Sequence, residues 1–287
     1  MKSIFWKKTA VILAAGIVSV GLLVGCGNAQ KQETTASSAA GGKRNVKLVI
    51  ANNEPPLDWK DENGKLHGYE YDIWLEVNKK LKNYNLNIDA VAPETMDVMM
   101  ESGEAQVASE GYYRNAQREK NFLIPKSPIG ASSLVAYVKK GDETKYKDLN
   151  DIVKAKLRIA PLTPNGGAFR ILTEWNEKNG KPLAEIPVQN NFSFAEAVHG
   201  LKEGQFDVII RPNNLGIEDA AKKEGVELAE IEKPIKVNET IVLVNKNEKE
   251  LSAEIDDALK ALRDDGTLKK ISEKWYKKDL FEQLQQK

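Results

Sequence analysis

The chain has 287 residues, with 42 basic and 42 acidic side chains, two histidines and one cysteine. A neutral balance of charge argues against nucleic-acid binding, which depends on neutralising phosphate groups. One cysteine excludes an intrachain disulfide, and the sequence has no cysteine–histidine spacing typical of a metal site, so neither a metal nor another cofactor is expected.

The first 25 residues have the layout of a signal peptide. Three lysines precede an uncharged run of 17 residues, 9–25, which is short for a membrane span of about 20 residues. Composition alone leaves Cys26 as a core thiol, a nucleophile or an attachment point, but its place directly after the run favours attachment. The letters LVGC at 23–26 resemble a bacterial lipobox, which implies cleavage before Cys26 and lipid on its sulfur. An uncleaved anchor stays an alternative.

The segment after Cys26 predicts a flexible tether, because residues 27–44 are rich in Gln, Ser, Thr, Ala and Gly. The rest, 45–287, is about 240 residues long, enough for one large or two small domains. Cleavage would remove three lysines and no acidic residue and so leave a net charge of about −3.

Short apolar runs alternate with amphipathic segments through the first half. We predict strands at 46–51, 86–91 and 106–109, and helices at 70–82 and 96–101. Alternating strands and helices indicate an α/β fold with a parallel sheet.

The pattern restarts near residue 157. Predicted strands are 157–160, 186–188, 206–210 and 239–245. One predicted helix ends near residue 176, and three others cover 193–201, 251–263 and 267–277. Two such units suggest two lobes, with extended connections at 131–136 and 236–240. Ligands of such folds bind at strand ends and between domains.

Five motifs carry a resemblance to a known family. In chain order they are NEPPLDWKDENGKLHGYEYDI (53–73), MMESGEAQV (99–107), NAQREKNFLIPKSPIG (115–130), LKEGQFDVII (201–210) and ALRDDGTLKKISEKWY (261–276). Each is weak alone, but their order and the preceding lipobox are specific. The mature chain resembles the solute-binding lipoproteins (family 3, polar amino acid type) of bacterial ABC importers.

The resemblance implies a two-lobed, periplasmic-binding-protein-like clamshell with two crossover strands (type II). We place lobe 1 at 45–132 plus 239–287 and lobe 2 at 133–238. The implied protein is a monomer, held by lipid on the outer face of the cell membrane. It binds a small polar solute, delivers it to an ABC permease and converts nothing chemically.

Arg118 is the residue that the resemblance assigns to the ligand's α-carboxylate, and a planar guanidinium fork suits that group. The family's usual threonine three residues earlier is Asn115, which still offers a hydrogen bond. The family's loop before a lobe 2 helix corresponds to Thr163, Asn165 and Gly166, where free N–H groups also suit an anion.

Position 212 departs from the family, which places there an aspartate for the α-ammonium group. This chain has Pro212, and the neighbouring Arg211 would repel an ammonium ion. Asn213 or Asn214 is one partial substitute; Glu54 and Glu110, at ligand-facing positions of lobe 1, are others. Either these residues hold the ammonium group or the ligand is not an ordinary α-amino acid.

The position where the family stacks an aromatic ring on the ligand is Met96, which is apolar but has no π face. Tyr112 and Tyr113 are candidates for aromatic walls, as is Trp59.

Two further functions stay open from the sequence. A ligand-sensing lipoprotein would have the same fold and anchor. A dehydratase-like enzyme would use Glu54 and Glu110 as an acid–base pair, although no Ser/His/Asp set accompanies them.

Overall fold

The computed structural model describes residues 42–164, 166–190 and 192–286. The predicted signal peptide, Cys26 and most of the predicted tether lie outside the described residues. The strands are β1 (Arg44–Ala51), β2 (Asn53–Glu54), β3 (Asp58–Lys60), β4 (Leu66–His67), β5 (Tyr84–Val91), β6 (Val107–Tyr113), β7 (Phe122–Leu123), β8 (Gly130–Lys139), β9 (Ile209–Pro212), β10 (Leu228–Glu230) and β11 (Lys236–Asn245).

The helices alternate with these strands. They are α1 (Tyr69–Lys80), α2 (Pro93–Ser102), α3 (Ala116–Asn121), α4 (Leu149–Lys154), α5 (Gly167–Lys178), α6 (Phe194–Lys202), α7 (Ile217–Glu224), α8 (Lys249–Asp264) and α9 (Thr267–Tyr276), with short 3-10 helices at Glu143–Lys145 and Leu280–Gln286. Among the described residues, no helix has the length and apolar character needed to cross a membrane.

The main sheet has eight strands and mixes parallel with antiparallel pairs. Its order is β10-β8-β11-β6-β1-β5, with β7 paired to β11 and β9 paired to β8. Strand β1 is parallel to both β5 and β6, as the alternating pattern predicts. Its run VKLVIA is buried on both faces because helices cover the sheet.

Two long strands connect the two halves of the sheet. β8 and β11 pair antiparallel from Leu134 opposite Lys236 to Gly130 opposite Thr240. These are the segments predicted as extended connections, and the two-lobed type II architecture is confirmed.

Separate hydrophobic cores lie on the two sides of this crossing. Residues within 46–131 and 241–281 form two buried clusters, which we call the core of lobe 1. Residues within 134–231 form two others, the core of lobe 2. The boundaries given above, 45–132 plus 239–287 and 133–238, stay a prediction.

Local sequence explains where several helices begin and end. The side chain of Ser193 accepts a hydrogen bond from the backbone N–H of Glu196, and the Glu196 carboxylate accepts one in return, so a capping box starts α6. Gly103 ends α2 in the left-handed conformation, with a φ of 78°.

Two predicted strands were wrong. Residues 157–160 and 186–188 form only single bridges, between Ile159 and Val208 and between Leu162 and Val188. Proline lacks the N–H that a ladder needs; Pro161 directly follows the first run, and Pro187 lies inside the second. The predicted strand 206–210 is displaced to Ile209–Pro212. Helices α3, α4 and α7 and the small sheet of β2, β3 and β4 were not predicted.

Candidate functional site

A cavity of about 790 Å³ lies between the two lobes. This volume is typical of a small-molecule site. Lobe 1 contributes the segments 53–55, 93–94, 110–113 and residue 118; lobe 2 contributes 162–163, 166–168, 192–195, 211–212, 214–216, 219–220 and 223–224.

Glu110 reaches this cavity because strand β6 bulges. Pairing between β6 and β11 runs from Val107 to Ala108, skips three residues and resumes at Tyr112. Gly111 lies in the bulge with a φ of 57°, a conformation that glycine adopts without strain. The bulge turns Glu110 out of the ladder and into the cavity lining.

Buried Glu70 of α1 holds the bulge. One oxygen of its carboxylate accepts a hydrogen bond of 2.6 Å from the Ser109 hydroxyl, and the other accepts one of 3.1 Å from the Gly111 N–H. Neighbouring Asp58 is also fully buried; one of its oxygens accepts from the Tyr71 N–H, and the other has no partner among the described residues. Glu70 therefore positions Glu110 from behind.

The carboxyl groups of lobe 1 form an electrostatically strained cluster. Burial, with the nearby charge of Glu70, raises the pKa of Glu54 to about 7. Burial, with Glu54, raises the pKa of Glu110 to about 8, although the charge of Arg118 opposes this rise. Burial also raises the pKa of Glu70 to about 7 and that of Asp58 well above its usual range. In the described ranges, neither Glu54 nor Glu110 forms an ion pair, so a cation between them would relieve their repulsion.

Arg118 brings a positive charge to the same wall. Its guanidinium lies over the ring of Tyr112, 4.3 Å from the centroid, and donates a 2.7 Å hydrogen bond to the Tyr113 carbonyl. Burial lowers its pKa, yet Arg118 stays charged at neutral pH. Arg114 pairs with Glu119 at the surface, whereas Arg118 has no carboxylate partner in the part of the chain that the structure describes.

The loop before α5 forms part of the lobe 2 wall. Thr163 and Gly166 line the cavity, and Gly166 is the N-cap of α5. The helix start lies against lobe 1: a Cβ atom on Gly167 would come within 3.2 Å of the Tyr113 ring. Free N–H groups of α5 therefore face the ligand space.

Strand β9 and the loop after it also contribute residues to the lobe 2 wall of the cavity. Pro212 lines it, as does Arg211, which is only 6% exposed as a whole residue. In the following loop, the Gly216 N–H donates a 3.1 Å hydrogen bond to the Pro55 carbonyl of lobe 1. A Cβ atom at Gly216 would lie 2.6 Å from that oxygen, so this close approach requires glycine.

The structure brings most of the predicted site residues together. Those that line the cavity are Glu54, Glu110, Tyr112, Tyr113, Arg118, Thr163 and Gly166. Asn165 lies outside the described residues. Ligand contact by any of them stays a prediction.

Three predicted site residues lie behind the cavity wall. Met96 is fully buried in the lobe 1 core, with its sulfur 4.0 Å from the Tyr112 hydroxyl. The Asn115 side chain caps α3 by accepting from the Arg118 N–H. Asn213 binds the backbone of Ser133 and the side chain of Gln283. Each supports a wall rather than forming its surface. Trp59, the other aromatic candidate, stacks on His67 away from the cavity.

Several lining residues were not predicted. Phe192 and Phe194 flank the start of α6, and Asn53 adds a polar group from lobe 1. Asn214, the alternative to Asn213 as a substitute at the ammonium site, does line the cavity from lobe 2. Arg211 was considered only as a charge that repels ammonium. An arginine that ends a buried apolar run, IIR, is the signal that would have singled it out.

Comparison with known proteins places the chain in a family. The model of the bacterial extracellular solute-binding proteins, family 3, matches residues 46–278. The L-cystine-binding protein TcyK of Bacillus subtilis is 27% identical over 241 residues, covering 83% of this chain and 87% of its own length. The L-cystine-binding protein TcyJ of the same organism is 25% identical over 280 residues, covering 96% and 99%.

A solved structure has the same architecture. The probable amino-acid ABC transporter extracellular-binding protein ytmK from Bacillus subtilis superposes with a TM-score of 0.71 at 25% identity. The match covers 82% of this chain and 98% of that structure.

Proposed function

We propose a function that proceeds from one premise: this chain belongs to the bacterial extracellular solute-binding proteins, family 3. The protein captures L-cystine, or a closely related polar amino acid, in the cavity between its lobes and hands it to an ABC permease. The naming of two relatives as L-cystine-binding proteins supports this choice of solute. The observation that carries it is a cavity where one wall presents a cation, Arg118, and two carboxyl groups, Glu54 and Glu110, none of which forms an ion pair among the described residues.

An α-amino acid carries the complementary pair of charges. Its carboxylate would take the guanidinium fork of Arg118, which is held in place by the Tyr112 ring and the Tyr113 carbonyl. Its ammonium group would sit between Glu54 and Glu110, whose mutual repulsion it would relieve. This arrangement supplies an ammonium site although position 212 is proline.

Ligand binding would also favour the closed arrangement of the lobes. The Gly216–Pro55 hydrogen bond and the approach of Gly167 to Tyr113 already connect the two walls. A ligand that contacts both walls binds the closed state more tightly and so shifts the population toward it. The ABC permease would then recognise the closed form of the protein.

The anchor is proposed from the sequence. Cleavage after residue 25 would leave Cys26 to carry lipid, and 26–44 would tether the folded body outside the cell membrane. Metabolic labelling with a fatty acid in a bacterial host should label the wild-type protein and leave Cys26→Ala unlabelled. An unlabelled wild-type protein, or equal labelling of the variant, would contradict lipid attachment at Cys26.

Isothermal titration calorimetry in mild detergent with the full chain carrying Cys26→Ala, which has no thiol to exchange with L-cystine, tests the ligand proposal. We expect one site per chain for L-cystine, with a Kd in the micromolar range or tighter, about −8 kcal/mol or better. The other polar amino acids form the comparison panel. No heat of binding for L-cystine or any member of the panel, with protein first unfolded and refolded to remove carried ligand, would overturn the proposal.

A further inference from the structure

Arg211 is a buried cation that the proposed contacts to an amino acid leave unused. It lies in β9 of lobe 2, is 6% exposed and lines the cavity. Its two terminal nitrogens donate 2.8 Å hydrogen bonds to the carbonyls of Ile210 and Pro161. Neutral carbonyls satisfy part of the guanidinium but do not balance its charge.

The comparison with Arg158 in the same lobe shows what is missing. Arg158 is exposed and grips Asp207 with two parallel hydrogen bonds of 2.8 Å. Arg211 has no carboxylate partner within the ranges that the structure describes. A buried charge is normally paired or neutralised because removing it from water is costly. Burial does lower the pKa of Arg211, to about 10, but that leaves it charged at neutral pH.

We propose that Arg211 is a second anion-binding residue of the cleft and takes a carboxylate at the far end of the ligand. The ligand class is therefore an elongated zwitterion with an anionic group at each end, of which L-cystine is one member. This inference rests on the proposed function and adds to it the reason why a short monocarboxylate amino acid would bind less well.

The placement of charges supports two separate ends. Arg118, Glu54 and Glu110 all belong to lobe 1 and together match one amino-acid head group. Arg211 faces the same cavity from lobe 2, beside the ring of Phe192, whose centroid lies 6.0 Å from the guanidinium carbon. An apolar wall next to a cation suits a ligand whose uncharged middle section leads to a second carboxylate.

Two ligands that differ by one carboxylate test the inference. They are L-cystine and the mixed disulfide of L-cysteine with cysteamine, which keeps the distal amine but lacks the distal carboxylate. Both are titrated calorimetrically into the full chain carrying Cys26→Ala, since a thiol would exchange with either disulfide. The variants are Arg211→Gln and Arg211→Lys, and the matched control is Arg158→Gln.

We expect Arg211→Gln to weaken L-cystine binding by about 30-fold or more, the loss typical of a buried charge partner. Its effect on the mixed disulfide should be less than about threefold, because that ligand has no group for Arg211. Arg211→Lys keeps the charge without the fork and should lose an intermediate factor on L-cystine only. If Arg211→Gln does not fold, the Arg211→Lys variant alone still tests the assignment. Arg158→Gln should change neither Kd.

Equal losses on both ligands, or no loss on L-cystine, would overturn the assignment of Arg211 and leave the proposed function standing. Failure of the parent protein to bind either ligand would overturn the assignment of Arg211; the proposed function would fall with it only if no amino acid of the comparison panel bound.

Discussion

The two walls of the cleft carry their charges in different ways. Lobe 1 crowds four carboxyl groups, Glu54, Asp58, Glu70 and Glu110, around a bulged strand and adds Arg118 beside them. Lobe 2 presents a buried arginine, Arg211, which donates hydrogen bonds to two backbone carbonyls and has no carboxylate partner among the described residues. In both walls a charge is left for the ligand to balance. The difference is that the lobe 1 wall matches a whole amino-acid head group and the lobe 2 wall matches one anion.

Loss of Arg118 should produce the largest change. Arg118→Ala removes the proposed carboxylate fork, so the Kd for L-cystine should rise about 30- to several-thousand-fold. Calorimetry measures it, and Arg114→Ala is the matched control, because Arg114 lies on the same segment but pairs with Glu119 at the surface. Equal affinities for wild type and Arg118→Ala would remove Arg118 from the site.

Loss of the Glu110 charge should cause the next largest loss of affinity. Glu110→Gln is close in shape but cannot be charged, so the Kd should rise about 10- to 100-fold, as expected for one hydrogen bond to a charged group. Glu104→Gln, at an exposed acid paired with Lys47, should have no effect. If the two variants bind alike, the ammonium site lies elsewhere.

Affinity should depend on pH through the same carboxyl groups. An ammonium ion favours their ionised forms, so binding should release protons and the affinity should rise roughly tenfold between pH 6 and pH 7.5. Calorimetry in two buffers of different ionisation enthalpy measures the proton release directly. In a Glu54→Gln, Glu110→Gln double variant, both the release and the pH dependence should disappear; their persistence would assign them to other groups.

Stability without ligand should change in the opposite direction. Because the pKa values of Glu54, Glu70 and Glu110 are raised in the folded state, that state holds protons which the unfolded chain loses above about pH 4.5. The free energy of unfolding should therefore fall as pH rises from about 5 to 8. Urea titrations at several pH values measure it, and a rise in stability over this window would contradict the described electrostatics.

The smallest effect is expected for the ligand-free stability of Arg211→Gln. The variant loses hydrogen bonds to Ile210 and Pro161 but no longer buries an unbalanced charge, and these changes offset each other. Its Tm should lie within about 3 °C of wild type, which is roughly 1 kcal/mol at this size. A much larger drop would make Arg211 a structural residue.

How much of this was predictable differs between fold and site. Strand and helix order followed from apolar periodicity because β1, α1, α6 and β11 are buried in the way their patterns require. The strands predicted at 157–160 and 186–188 were wrong, since runs of three or four residues carry too little pattern to separate a strand from a single bridge.

The site was predictable where a motif or a departure from it marked a position, as at Arg118 and Glu110. The site was not predictable where a residue's role depends on whether its side chain faces the cavity. Met96 and Asn213 lie one layer behind the surface. Arg211 is marked in the sequence only by its place at the end of the apolar run IIR, and that pattern does not show that the residue faces a cavity. The bulge at Gly111 depends on support from Glu70, 41 residues away in sequence, so local patterns do not reveal it.

A crystal structure of the full chain with L-cystine tests the central claim most directly. We predict one carboxylate on Arg118, the adjacent ammonium group between Glu54 and Glu110, and the distal carboxylate on Arg211. Density for L-cystine outside the cleft, or an empty cleft at saturating L-cystine, would contradict the account.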